Sequence, residues 1–233
     1  MCIRDSGGTG PVSVSNGQIS ATNWLVGVPL YPEVYSSAPL STSYAHLTAK
    51  AQAAGIPVTN LATVCTVANC SLPVNLPSGV YHSPGDVTLQ GINVLPNRRY
   101  IFLIGGDLLL QGNITIPQGV GSTATFASGR DILVAATVGV APASVQVNLE
   151  GFYSAGRSFI INTAGNCNDL RLNIAGSIIA NAARGGGAFQ NNRDTCIAEL
   201  QYPTVSISQR LDLLLVETPL ISEQTTLTHE VAP

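Results

Sequence analysis

Charge is what this chain has least of. Lys, Arg, Asp and Glu make up 10% of its 233 residues, where a soluble domain usually carries about a quarter. Lysine is reduced to Lys50 alone. Thirteen acids against ten bases leave a net charge of -3, which gives neither a basic footprint for nucleic acid nor an attraction to an anionic membrane surface. Long apolar runs are missing as well, and none approaches the roughly 20 residues a transmembrane helix needs. A phosphate-cradling GxxxxGK loop is excluded, since Lys50 stands elsewhere. No GxGxxG opens a helix and no GxSxG nucleophile elbow occurs. His46, His82 and His229 fall at no zinc-ligand spacing, and no CxxC pair accompanies them. No cofactor or metal is expected.

What is present is apolar and small. Hydrophobic residues reach 45%, enough to bury a sizeable core in one or two domains. With so little charge the surface must be Ser, Thr, Asn, Gln and Gly, a composition suited to β-structure and an extracytoplasmic setting. The first six residues, MCIRDS, resemble a spurious leader that recurs in translated environmental sequence assemblies and match nothing downstream. They are set aside from fold reasoning, and the natural start is expected upstream, so a missing signal or anchor carries no weight. Without Cys2 four cysteines remain, an even number that fits disulfides in an oxidising compartment. Four cysteines allow three connectivities. The local pairs Cys65 with Cys70 and Cys167 with Cys196 are favoured because each closes a loop rich in Asn, Gly or Ser.

Residues 7 to 78 read as an irregular N-terminal region, with a short apolar piece around NWLVGVPLY and one helix over 41 to 55, from a Ser/Thr start to a Gly55 stop. From Gly79 to about residue 187 the chain repeats itself. VYHSPGD-VTLQG, YIFLIGGD-LLLQG, TFASGRD-ILVAA, FYSAGRS-FIINT and LNIAGS-IIANA each place an apolar run, a Gly-containing turn and a second apolar run in series. Their anchors, Asp86, Asp107, Asp131, Ser158 and Ser177, are 21, 24, 27 and 19 apart. A third element ends at Pro96, Pro117 and Pro142, spaced 21 and 25. Three short strands per 20 to 25 residues predict an all-β fold, a parallel β-helix or β-solenoid of about five short coils. A single coil cannot bury its apolar face, whereas coils stacked about 4.8 Å apart bury each other. An antiparallel sandwich also has many short strands, but has no need for three elements to recur in step.

Within this frame Leu109 is expected in an internal ladder, and Tyr100, Phe126 and Phe152 in core or internal stacks. The turn glycines are expected to supply positive φ. Asp86, Asp107 and Asp131 are read as turn caps rather than as a calcium or catalytic column. Arg130 and Arg157 are read as solvated corner charges, and His82, Ser83 and Asp86 as a triad by letter only. Asn113-Ile-Thr115 and Asn69-Cys70-Ser71 fit the glycosylation sequon. Residues 188 to 233 are expected to form a C-terminal cap: a polar loop held by the second cysteine pair, then one or two strands in TVSISQRLDLLLVET. That loop and the 41 to 55 helix are the expected caps over edges that would otherwise invite aggregation.

The succession GVYHSPGDVTLQG, IFLIGGDLLLQGNITI, ASGRDILV, LEGFYSAGRSF, LRLNIAGSIIANAARGGG, NNRDTC, AELQYP and the terminal HEVAP resembles a group of uncharacterised exported β-solenoid proteins of environmental bacteria, some described as pilus-assembly-like or cell-surface proteins. The resemblance covers residues 79 to 233. More loosely, the coils are similar to those of bactofilins, although the cysteine pairs and capping segments depart from that pattern. The resemblance implies a secreted or envelope-attached structural protein, adhesion- or pilus-associated, with no catalytic residues to carry over. Its partner would be an envelope component, a pilus or a glycan. A β-helical carbohydrate-active enzyme, of lyase or hydrolase type, and a glycan-binding module are the alternatives.

Overall fold

The computed structural model describes residues 41–165, 167–215 and 220. The expectations for residues 1–40 and for the Thr-rich end lie outside them. Among the described residues fourteen strands and two α-helices follow in order: α1 (Tyr44–Ala53), β1 (Val58–Asn60), β2 (Gly79–Ser83), β3 (Val87–Leu89), β4 (Ile92–Asn93), β5 (Arg99–Ile104), β6 (Leu108–Leu110), β7 (Ile114–Thr115), β8 (Thr123–Ser128), β9 (Ile132–Val134), β10 (Leu149–Ala155), β11 (Phe159–Ile161), β12 (Leu172–Ile179), β13 (Phe189–Asn191), β14 (Val205–Ser208) and α2 (Leu211–Leu215).

Every strand pair is parallel. One sheet runs β1-β2-β5-β8-β10-β12-β14, with β4 and β7 attached through β10, and a second runs β13-β11-β9-β6-β3. This is the β-solenoid of about five turns that the repeats predict. The ladders also reach one rung beyond residues 79–187 at each end, since β1 pairs with β2 and β14 with β12.

The period-2 alternation of each strand decides what enters the core. On the first sheet Tyr81, Phe102, Phe126 and Tyr153 occupy one register column. Their rings stack at centroid separations of 5.6, 5.1 and 5.1 Å. Opposite them Val87, Leu108, Ile132 and Phe159 form one buried column, and Leu89, Leu110, Val134 and Ile161 another. Removing one ring from such a stack, as in Phe126→Ala, is worth about 3–5 kcal/mol.

Four expectations need correction. Leu109 points outward, half-exposed between buried Leu108 and Leu110, because a three-residue strand sends its middle side chain to the other face. Phe152 also faces out, and Tyr153 takes its place in the ring stack. Ser177 is not the fifth anchor: it pairs with Phe152, and Ala188 stands below Ser158. The cause is a longer excursion after β12 through Asn181 and Arg184, both in left-handed backbone. Pro142 is out of step for a similar reason. The third rung over Ile114 is Leu149, because residues between β9 and β10 form an excursion instead of a strand.

Helix α1 starts at Ser43, whose hydroxyl accepts the His46 N–H at 3.3 Å, and ends before Gly55 at φ +62. It presses Leu47 and Ala51 onto Val80, Ile101, Leu103 and Ala127. It therefore covers the outer flank of the first sheet instead of the end of the stack. Leu61, Cys70 and Leu76 bury themselves at the N-terminal end, beside the expected Cys65–Cys70 disulfide. The Cys167–Cys196 disulfide is also formed. Within TVSISQRLDLLL, where one or two strands are expected, β14 forms and the short helix α2 follows it.

Candidate functional site

The corner between the first two strands of successive coils carries a cluster of charged side chains, Asp86, Asp107, Arg130, Asp131 and Arg157. There the backbone of one coil runs so close to the next that a side chain at Gly105, Gly129 or Gly156 would place Cβ 2.3–2.5 Å from the carbonyl oxygen of the coil before. None of the three has positive φ, so glycine is required by close approach and not, as expected, by turn conformation. That tightness brings the anchors into contact. Asp86 Oδ1 accepts the Asp107 N–H at 2.8 Å, Asp107 Oδ1 the Asp131 N–H at 3.0 Å, and Asp131 Oδ1 the Ser158 N–H at 2.9 Å. Ser158 continues the line by accepting the Ala188 N–H at 3.2 Å. The aspartates act as caps across coils rather than within their own turns.

Two arginines brace this spine. Arg130 bonds Asp86 two coils away and lies 3.1 Å from Asp107. Arg157 bonds Asp131 at 2.8 Å and lies 3.7 Å from Asp107. They are thus paired charges, more than the solvated corner charges the sequence suggests. The backbone N–H of Asp107, then Arg130, holds the Asp86 carboxyl below the usual carboxylate range. The hydrogen bond from Arg130 to Asp86 raises the guanidinium pKa in return. A carboxylate so held is a poor general acid.

Two buried arginines escaped the sequence reading. Arg193 donates to four backbone carbonyls, of Ala135, Val138, Asn162 and Leu170, at 2.7–3.2 Å. Burial lowers its pKa and Asp169 opposes that. Burial would raise the Asp169 pKa, but bonds from Thr163, Ala164 and Asp194, with the Arg193 charge, bring it down overall. Arg210 donates to the Ile116 carbonyl at 2.8 Å and Glu150 Oε1 at 3.0 Å, and pairs with Asp212. Glu150 accepts the Ile116 N–H, and the Arg210 hydrogen bond pulls Asp212 down to about 2. Nothing in the local sequence marks either arginine, because their partners lie up to 94 residues away.

The sequence-named triad separates in space. Ser83 points inward, bonding the Gly85 carbonyl, while His82 faces out and pairs through Nε2 with Tyr44 Oη at 2.9 Å. Among the described residues no group of three His, Cys, Asp or Glu side chains could hold a metal ion. Asn69 and Asn113 are both exposed. Among the described residues no helix is long and apolar enough to cross a membrane. No protein-family model matches this chain, and no curated protein or solved structure matches it.

Proposed function

We propose that this protein is a non-enzymatic extracytoplasmic scaffold, a β-solenoid whose exposed surface serves attachment in an envelope, adhesion or pilus context. The observation that carries the reading is the charged corner. Each aspartate of the spine spends one oxygen on the next coil's N–H, and the spine as a whole is braced by Arg130 and Arg157. Carboxylates engaged in this way support a stack. They do not offer the free acid and base that glycoside cleavage requires.

The two disulfides support an oxidising compartment, and so a position outside the cytoplasm. A glycan platform would need a row of exposed rings, whereas Tyr81, Phe102, Phe126 and Tyr153 spend theirs inside the stack.

The test is to incubate the full chain with neutral and acidic polysaccharides, following new reducing ends and the ultraviolet absorbance of unsaturated products. No product is expected from any of them. Cleavage that Asp107→Asn abolishes, in a variant that still folds, would overturn the scaffold reading in favour of a β-helical enzyme.

A further inference from the structure

The two disulfides are set in unlike surroundings. Cys70 is fully buried, and its backbone belongs to the stack: its N–H donates to the Thr88 carbonyl at 2.7 Å and its carbonyl accepts the Gln90 N–H at 2.9 Å. Cys65 packs against the same core. A reductant reaches the Cys65–Cys70 bridge only when that end of the stack opens. Cys167, in contrast, is exposed and Cys196 half-buried. Both hold left-handed backbone, at φ +62 and φ +51, a conformation unfavourable to a residue with a Cβ. Opening their bridge lets both residues relax.

The Cys167–Cys196 bridge ties the loop between β11 and β12 to the segment that follows β13. A second joint lies beside it and needs no disulfide. Asp169 Oδ2 accepts the Asp194 N–H at 2.7 Å, and Arg193 donates to the Leu170 carbonyl at 2.8 Å and the Asn162 carbonyl at 3.2 Å. Both side chains are 5% exposed or less, so this joint fixes the chain as far as Asp194. The chain is fixed again where β14 pairs along β12. Residues 195–204, with the 3-10 turn Cys196–Leu200, lie between those two fixed points.

We propose that Cys167–Cys196 is a redox switch that holds or releases the segment 195–204, whereas Cys65–Cys70 is a permanent staple. A dithiol supplies the electrons. Its thiolate attacks the exposed Cys167 sulfur, the S–S bond breaks, and Cys196 leaves as a thiolate that takes up a proton. The second thiol of the reductant then attacks the mixed disulfide and frees Cys167. The protein has gained two electrons and two protons, and the dithiol has become a disulfide. Exposed and strained bridges are the ones that exchange in this way. This inference stands apart from the scaffold reading, since an enzyme could carry the same switch.

The full chain with Cys2→Ser, titrated natively with dithiothreitol and then alkylated, tests it by peptide mass mapping. Cys167 and Cys196 are expected to take up label together, at a dithiol concentration at least about tenfold below that which opens Cys65–Cys70. Amide hydrogen exchange of the half-reduced protein is expected to rise over residues 195–204 and to stay unchanged in β5, β8 and β10. Oxidised glutathione should restore the original protection. The double variant Cys167→Ser with Cys196→Ser is expected to fold and to exchange as the half-reduced protein does. The proposal is overturned if Cys65–Cys70 opens first or in step, or if Cys167–Cys196 opens without faster exchange over 195–204. It is overturned equally if opening exposes β8 and β10, or if the double variant fails to fold, because the bridge would then be a staple too.

Discussion

Asp131 donates its backbone N–H to Asp107 Oδ1 at 3.0 Å, so a side chain of one coil satisfies the main chain of the next. The same bond recurs on either side, from Asp107 to Asp86 and from Ser158 to Asp131. A corner that would otherwise leave amides unpaired is closed by its neighbour.

Asp107 sits in the middle of this spine, and removing its side chain should show its weight. Asp107→Ala is expected to destabilise the protein by about 1–3 kcal/mol, through the orphaned Asp131 N–H. Asp107→Asn keeps an acceptor oxygen and loses only exposed ion pairs, so it should cost less than about 1 kcal/mol. Urea unfolding midpoints separate the two. Equal losses would mean that charge, not backbone capping, holds the corner.

Much of this architecture is legible in the residues themselves. The Gly-Asp and Gly-Arg corners recur visibly, and their spacing places Asp86, Asp107, Asp131 and Ser158 on one line. The fifth corner is not legible, because the true separation from Ser158 to Ala188 is 30 residues and the intervening Gly-rich excursion hides it. Facing is also lost in LLL, where all three letters are equally apolar. Only the pairing with Val87, Leu89, Ile132 and Val134 tells which two point inward. Arg193 and Arg210 are invisible for a different reason: their carbonyl and carboxylate partners meet only after the coils close.

The facing of Leu108-Leu109-Leu110 gives a paired test. Leu110→Asp puts a charge into a fully buried column and should abolish cooperative unfolding. Leu109→Asp points to the outer face and should leave a folded protein. Near-ultraviolet circular dichroism and thermal melts read both. Unfolding by Leu109→Asp as well would contradict the register.

Acid should loosen the Arg210–Asp212 pair. Asp212 is depressed to about 2 by Arg210, and Asp86 and Asp169 are depressed too. A carboxylate with a lowered folded pKa stabilises above its unfolded value, about 3.9, and that contribution fades as pH falls through the folded value. Stability should therefore drop between about pH 4 and pH 2. Asp212→Asn should lower the melting temperature near neutrality and flatten that acid limb. An unchanged acid limb would remove Asp212 from the account.

The central claim is that successive coils stack in parallel register, and one distance tests it most directly. Thr88, Leu109, Leu133, Ile160 and Gln190 share one outward column, each paired with the next. Four rungs separate its ends, or about 19 Å at the usual strand spacing. Spin labels on Thr88→Cys and Gln190→Cys, with Cys2 replaced by serine, can be measured by double electron–electron resonance. The four disulfide-bonded cysteines do not take up label. A single narrow distribution near 20 Å, widened only by the label arms, is the predicted result. A distance beyond about 30 Å, or a broad multimodal distribution, would contradict a stacked solenoid.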